Sequence, residues 1–97
     1  MTDIYGSVPN VAIVDISMHF LMANVVTVTL IPGLGNTSLC EYSQDINAAT
    51  NPDSSGWTAW NYGAVSIQAT DTFIGKITAL RFTRITGQSI DNFEVSV

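Results

Sequence analysis

Basic residues are scarce in this 97-residue chain, which has only three of them beside eight carboxylates and one histidine. The net charge of -5 opposes binding to nucleic acid, because phosphate recognition depends on clustered lysine and arginine. Charged residues make up 11% of the chain, whereas ordinary soluble domains have roughly 25%. A small domain with so few charges is poorly protected against association, so we expect partner chains to cover part of its surface.

The chain also lacks the residues from which catalytic and metal sites are usually built. Its single cysteine, Cys40, excludes an internal disulfide and a thiolate metal cluster. Cys40 and the only histidine, His19, could formally pair as nucleophile and base, but the neighbours of Cys40 indicate a buried strand residue. Asp45, Asp53 and Asp71 lack the dense spacing of a calcium loop, which favours turn aspartates over a metal or glycosidase site. We therefore predict a protein that is not an enzyme, with no catalytic residue, cofactor or metal.

No long apolar run is present. The most apolar stretch, residues 16–31, is interrupted by His19, Asn24, Thr27 and Thr29 and is too short to span a bilayer. No basic and apolar signal segment opens the chain. We expect no membrane span, no secretion by a signal peptide, and synthesis in a reducing cytoplasm.

β-Branched and aromatic residues are spread along the chain between Gly, Pro, Asn and Asp turn signals, while helical periodicity is nearly absent. Alternation is clearest where Val26, Val28 and Leu30 share one face. Short strands with few charges predict an all-β fold, a small antiparallel β-sandwich of the jelly-roll or Greek-key type. The predicted strands cover residues 10–17, 20–31, 37–43, 57–62, 64–70, 76–86 and 92–97.

Residues 1–9 precede the first predicted strand, and we expect them to form an extended N-terminal arm beside a single sandwich domain of residues 10–97. Gly6 and Pro9 disfavour a helix in this arm. A lone domain would leave such a terminus frayed, so we expect neighbouring subunits to hold it. Its apolar anchors are Ile4, Tyr5 and Val8.

All three basic residues lie in one apolar stretch, residues 76–84, which is typical of a core strand. An arginine there needs a carboxylate or carbonyl partner, because an unpaired desolvated charge is very costly. Arg81 and Arg84 are three positions apart and therefore face opposite sides of a regular strand. We predict that one pairs with a carboxylate of the same subunit and that the other reaches a rim or a partner chain. The carboxylates nearest in sequence are Asp71, Asp91 and Glu94.

Trp57, Trp60 and Tyr62 form the most suggestive aromatic group. On a strand, Trp60 and Tyr62 share one face and Trp57 points to the other. We favour a core or subunit contact for this group, since aromatic residues are enriched at protein interfaces. The alternative is an exposed platform that stacks on sugars.

Residues 57–97 carry a further pattern, in which Thr, Ala, an aliphatic residue, Arg, an apolar residue and Thr lead through a Gly turn into a final Val-rich strand. The segments that carry it are Ala64–Asp71, Ile77–Gly87 and Phe93–Val97. In this pattern the chain resembles small virion structural proteins of tailed bacteriophages, which occur in heads and tails alike. The resemblance brings no catalytic residues to this sequence.

The resemblance implies a role in virion assembly, most simply a capsid cement or decoration protein that stabilises the head. The implied partner is the major capsid protein or another virion protein, and the implied localisation is the virion, after synthesis in the host cytoplasm. We expect a homo-oligomer and favour a trimer, because capsid surfaces offer three-fold positions. The alternatives are a tail or baseplate accessory protein and a carbohydrate-binding jelly-roll module in host recognition.

Overall fold

Short segments of alternating burial build the domain. The computed structural model describes residues 3–16, 25–75 and 77–96. Within them the strands are β1 (Asp3–Val8), β2 (Val11–Asp15), β3 (Val25–Ile31), β4 (Thr37–Ser43), β5 (Thr58–Ala59), β6 (Ala69–Ile74), β7 (Ala79–Thr86) and β8 (Asp91–Ser96). One 3-10 turn, Pro52–Ser54, lies in the long loop between β4 and β5.

The strands form two four-stranded sheets in which every neighbouring pair is antiparallel. Sheet A has the order β1-β8-β3-β6, and sheet B has the order β2-β7-β4-β5. Eight strands in this order make the double-sheet jelly roll. The predicted all-β antiparallel sandwich is therefore confirmed, and the jelly roll is the form it takes.

The core lies between the inner faces of the two sheets. Alternation on β3 turns Val26, Val28 and Leu30 inward, where each is almost fully buried. Phe82 of sheet B stacks on Phe93 of sheet A with 4.5 Å between the ring centroids. Burying each such side chain contributes about 1.5–3 kcal/mol to the free energy of unfolding. These residues lie on β3, β7 and β8, which are central strands, so the central strands supply much of the contact between the sheets.

One end of the sandwich is closed by buried polar groups. Asp91, fully buried at the start of β8, accepts hydrogen bonds from the Gly33 amide, the Asn36 side-chain amide and the Ser38 hydroxyl. Asn36 also donates to the carbonyl oxygen of Ser89 at 2.8 Å. Because the donors to Asp91 come from the β3–β4 connection and from β4 itself, this carboxylate joins them to the β7–β8 turn.

Strand β1 differs from the sequence prediction. Residues 3–8 were predicted as part of an arm outside the sandwich, but they pair with β8 along their whole length as an edge strand of sheet A. From the sequence, Gly6 was expected only to disfavour a helix, whereas in the structure the ring of Phe93 fills the space that a side chain at Gly6 would need. Glycine is therefore required there for close packing.

Strand β6 is displaced from its predicted position at residues 64–70. Val65 makes only an isolated bridge to Ser38, and the continuous strand begins at Ala69. Asp71, which we interpreted as a turn residue, lies within the strand and accepts a hydrogen bond from the Asn61 amide. The predicted strand at 20–31 is described only from residue 25, and its first five residues lie outside the described part of the chain.

Candidate interaction surfaces

The outer face of sheet B carries apolar side chains on three of its strands. Alternation places Val11 and Ile13 of β2, Leu39 of β4 and Ile85 of β7 on this face. Val11 is 47% exposed and Ile85 is 51% exposed. Val11 lies opposite Thr83, which in turn lies opposite Leu39, so an uncharged row crosses three strands.

An ion pair occupies the middle of this face. Arg81 lies opposite Ile13 on one side and Glu41 on the other. Oε1 of Glu41 lies 2.9 Å from Nη2 and 3.0 Å from Nε of Arg81. The guanidinium carbon also lies 4.5 Å from the centre of the Trp57 ring, which is a cation–π contact. The central charges therefore neutralise each other.

Arg81 thus has a carboxylate partner within the subunit, but that partner is Glu41 from the neighbouring strand. None of the three carboxylates nearest in sequence makes this contact. Arg84 lies near the end of β7, where its Nη1 donates to the carbonyl oxygen of Ser89 at 2.9 Å. Arg84 therefore braces the turn between β7 and β8, beside the buried network of Asp91.

The outer face of sheet A has a different character, because hydroxyl groups line it. Thr29 and Thr70 lie 2.9 Å apart, oxygen to oxygen, across β3 and β6, and Thr27 and Thr72 lie 3.4 Å apart. In each pair, one hydroxyl group hydrogen-bonds the other across the two strands. Exposed apolar side chains also lie on this face, among them Val25 at 46% and Ile74 at 84%. Both outer faces are therefore partly apolar, and they differ in their polar groups, which are hydroxyl pairs on sheet A and one ion pair on sheet B.

The three aromatic residues of the predicted group take separate positions. Trp60 is 3% exposed and belongs to the core, with its indole N–H donating to the carbonyl oxygen of Gly63 at 2.6 Å. Tyr62 is exposed, and its ring meets the ring of Trp60 edge-on at 5.3 Å. Trp57 is partly buried, and its N–H donates to the carbonyl oxygen of Pro52. An open Trp60–Tyr62 platform is not formed, because Trp60 is enclosed.

A cleft of about 350 Å³ opens beside Trp57 at the end of sheet B. Its lining includes Tyr42, Ser43, Gln44, Asp45, Trp57 and Thr58. The Asp45 amide donates to the Ser43 hydroxyl oxygen, and the Asn47 amide donates to Oδ1 of Asp45, so the turn holds this carboxylate in place. Two aromatic rings therefore stand beside an amide, a carboxylate and hydroxyl groups. This cleft was missed from the sequence because Gln44 and Asp45 resemble ordinary turn residues.

The predicted anchors of the N-terminal arm also separate. Val8 is fully buried, and Ile4 packs partly buried against the core. Tyr5 is 67% exposed on the outer face of sheet A, where the carboxylates of Glu94 and then of Asp3 raise the pKa of its phenol. Of these three residues, Tyr5 alone has most of its surface exposed.

The single thiol is a core group. Cys40 is fully buried on the inner side of β4, and burial raises the pKa of its thiol, so the thiol keeps its proton at neutral pH. Its possible partner, His19, lies outside the described residues. The described segments contain no group of three His, Cys, Asp or Glu side chains that could hold a metal ion. In the same segments, no helix is long and apolar enough to cross a membrane.

No family model, no curated protein and no solved structure matches the chain. The fold and surfaces define a class, namely a small jelly-roll sandwich with exposed apolar side chains on both outer faces, a neutralised ion pair on sheet B and an aromatic cleft at the end of that sheet. The resemblance to virion proteins stays a prediction.

Proposed function

We propose that this chain is a structural subunit of a bacteriophage virion, a cement or decoration protein that stabilises the head by adhering to capsid subunits. The observation that carries the proposal is the outer face of sheet B, where Val11 and Ile85 are about half exposed and the central charges cancel. Exposed apolar side chains grouped on one face, with no net charge at its centre, mark interaction sites on soluble domains. Jelly rolls also build viral capsid domains, which is an analogy of architecture alone.

The size of this face sets how it can act. Its four strands have 5, 8, 7 and 2 residues, and at about 3.3 Å per residue and about 4.8 Å between strands they give a footprint of roughly 350 Å². A stable interface buries about 800 Å² on each partner. The face of one subunit therefore supplies part of a stable contact, and strand edges or a neighbouring copy must supply the rest.

Particle binding tests this proposal. Purified particles stripped of the chain should bind it again at a fixed copy number, and the restored particles should resist heating better than the stripped ones. Ile85→Lys, which places a charge on the outer face of sheet B, should weaken retention at least about tenfold. Ile74→Lys is the matched control, because Ile74 is exposed on sheet A. Equal retention of the two variants, or no binding of the wild-type chain, would count against the proposal.

A carbohydrate-binding function is the second candidate, and the cleft beside Trp57 is the observation that favours it. Its volume of about 350 Å³ falls at the lower end of the range for small-ligand sites. An indole offers a flat apolar surface to the C–H groups of a sugar ring, while Gln44 and Asp45 offer groups that bond to hydroxyls. Jelly rolls also occur in lectin domains.

Fluorescence can test this second candidate, because the two tryptophans differ in exposure. Titration with a panel of soluble oligosaccharides should change the emission of Trp57, and Trp57→Phe should lose the response because Trp60 is enclosed. Gln44→Ala should weaken binding, whereas Gln68→Ala, an exposed glutamine outside the cleft, should not. An unchanged emission spectrum across the whole panel would reject the sugar site.

A further inference from the structure

The two sides of the sandwich protect their strand edges unequally. On the β5–β6 side, β5 has only two residues, and Asp71 points inward from β6. The backbone amide of Trp60 donates to the carbonyl oxygen of Cys40 in sheet B, and the backbone amide of Asn61 donates to the carboxylate of Asp71 in sheet A. The turn at residues 60–61 therefore connects the two sheets. Short edge strands, inward charges and covering loops are devices that prevent edge-to-edge association.

The opposite side ends in β1 and β2, and β2 directs backbone groups away from its own sheet. The backbone amide of Ile16 donates to the carbonyl oxygen of Thr78, just before β7, and the backbone amide of Arg84 in β7 donates to the carbonyl oxygen of Asn10. The backbone N–H and C=O groups of the even-numbered residues therefore point towards β7. Because bonded residues alternate in an antiparallel ladder, the N–H and C=O groups of Val11 and Ile13 point outward. Among the described strands, β7 is the one neighbour of β2.

The side chains of β2 favour pairing. Residues 11–14 are Val, Ala, Ile and Val, with no charge and high strand propensity. An edge of this composition is a template for another strand unless charge, proline or a covering segment blocks it. We propose that β2 pairs antiparallel with β2 of a second copy across a two-fold axis.

The sequence of β2 is self-complementary in one register. With Ala12 on the two-fold axis, Val11 lies opposite the partner's Ile13, and the outward backbone groups form about four hydrogen bonds between the copies. Val and Ile then pack side by side on the outer face, which is a favourable cross-strand pair. Asp15 falls opposite the partner's Pro9, so like charges do not meet, and the missing N–H of proline ends the ladder.

Pairing of this kind joins both copies of sheet B into one continuous eight-stranded sheet. The two outer faces then lie side by side, and their combined footprint is roughly 700 Å², close to the area that one side of a standard interface buries. This use of the dimer rests on the proposed function, whereas the pairing itself does not. A two-fold contact also closes on itself, so it gives a dimer in place of the trimer predicted from the sequence.

Light scattering across a micromolar concentration series tests the pairing. The wild-type chain should pass from monomer to dimer. Ile13→Lys should raise the dissociation constant at least about tenfold, because it places two lysines beside the axis. Ile74→Lys makes the same change on the protected side and should dimerise like the wild type. Circular dichroism of both variants at low concentration checks that each is folded.

Amide hydrogen exchange gives a readout that a folding defect would not imitate. Protection of the Val11 and Ile13 amides should rise with protein concentration, while the Ala12 and Val14 amides, bonded to β7, should stay protected throughout. A chain that stays monomeric, a trimer, or a dimer whose Val11 and Ile13 amides exchange freely would overturn the pairing. A monomer that is still retained on particles would overturn the pairing and leave the proposed function standing. A dimer that does not bind particles would support the pairing and count against the proposed function.

Discussion

Arg81 combines two contacts that the sequence suggested separately. A charged residue was expected to need a partner, and aromatic residues were expected near an interface. The structure brings both to one point, since the guanidinium binds Glu41 and covers Trp57. The side chains of Arg81 and Glu41 are 25% and 17% exposed, so water screens the pair only in part.

Replacing Arg81 by Ala should therefore lower the free energy of unfolding by about 1–2 kcal/mol, which is more than an exposed pair contributes and less than a fully buried one. Arg84→Ala should cost less than about 1 kcal/mol, because it removes one bond to a carbonyl group at the rim. Urea unfolding measures both values. A double-mutant cycle with Glu41→Gln should give a coupling energy below the full effect of Arg81→Ala, because that variant also loses the Trp57 contact. A coupling close to zero would show that the Arg81–Glu41 pair does not stabilise the fold.

Asp91 is the most demanding residue of the buried network, because three donors converge on one carboxylate. Asp91→Ala should destabilise the fold by at least about 3 kcal/mol, since it leaves the Gly33 amide, Asn36 and Ser38 without their shared acceptor. Asp53 is exposed in the 3-10 turn, so Asp53→Ala should leave the free energy of unfolding within about 0.5 kcal/mol of the wild type. Thermal melts that rank the two variants equally would show that the network is dispensable.

At the scale of elements, β1 is the strand whose role changed most between sequence and structure. Its edge position depends on Gly6, which lets the Phe93 ring pack against the strand. Gly6→Val should cost about 1–3 kcal/mol through overpacking. Ser7→Val, one position along on the exposed face, should be neutral or slightly stabilising, because valine favours strands. Chemical denaturation compares them, and equal stability would mean that β1 is a loosely attached arm after all.

Alternation is clearest on β3, where Val26, Val28 and Leu30 are buried as predicted. β3 and β4 lie inside their predicted ranges, and the bounds of β4, Thr37–Ser43, agree with the prediction. Strand β1 was missed because its residues were assigned to an extended arm, and β6 was displaced because Asp71 was interpreted as a turn residue. In the structure Gly6 and Asp71 are explained by distant neighbours, the Phe93 ring and the Asn61 amide. Such contacts cannot be inferred from local pattern.

In the candidate surfaces, too, local features could be predicted and contacts between distant segments could not. The buried Cys40 and the need of an arginine for a carboxylate could be predicted, because each depends on one residue and its immediate surroundings. The identity of Glu41 as the partner and the cleft beside Trp57 could not, since both depend on which strands become neighbours. Strand order is a property of the whole chain, and in this fold it places β1 beside β8.

At the scale of the whole molecule, sparse charge makes association depend strongly on pH. The net charge is -5 at pH 7, and the isoelectric point is near 4.2. Lowering the pH removes the mutual repulsion of copies, which is the main long-range force that keeps such weakly charged domains apart. Light scattering should therefore rise steadily as the pH falls from 7 towards the isoelectric point. Salt at pH 7 should act in the same direction, because it screens the same repulsion.

The variant pair Ile13→Lys and Ile74→Lys separates this general effect from pairing at β2. Each adds one positive charge, so both variants approach neutrality at a slightly higher pH than the wild type. If β2 is the association edge, Ile13→Lys should scatter less than Ile74→Lys at every pH in the series, although their net charges are equal. Identical scattering curves would mean that net charge alone governs association and that no particular edge is preferred.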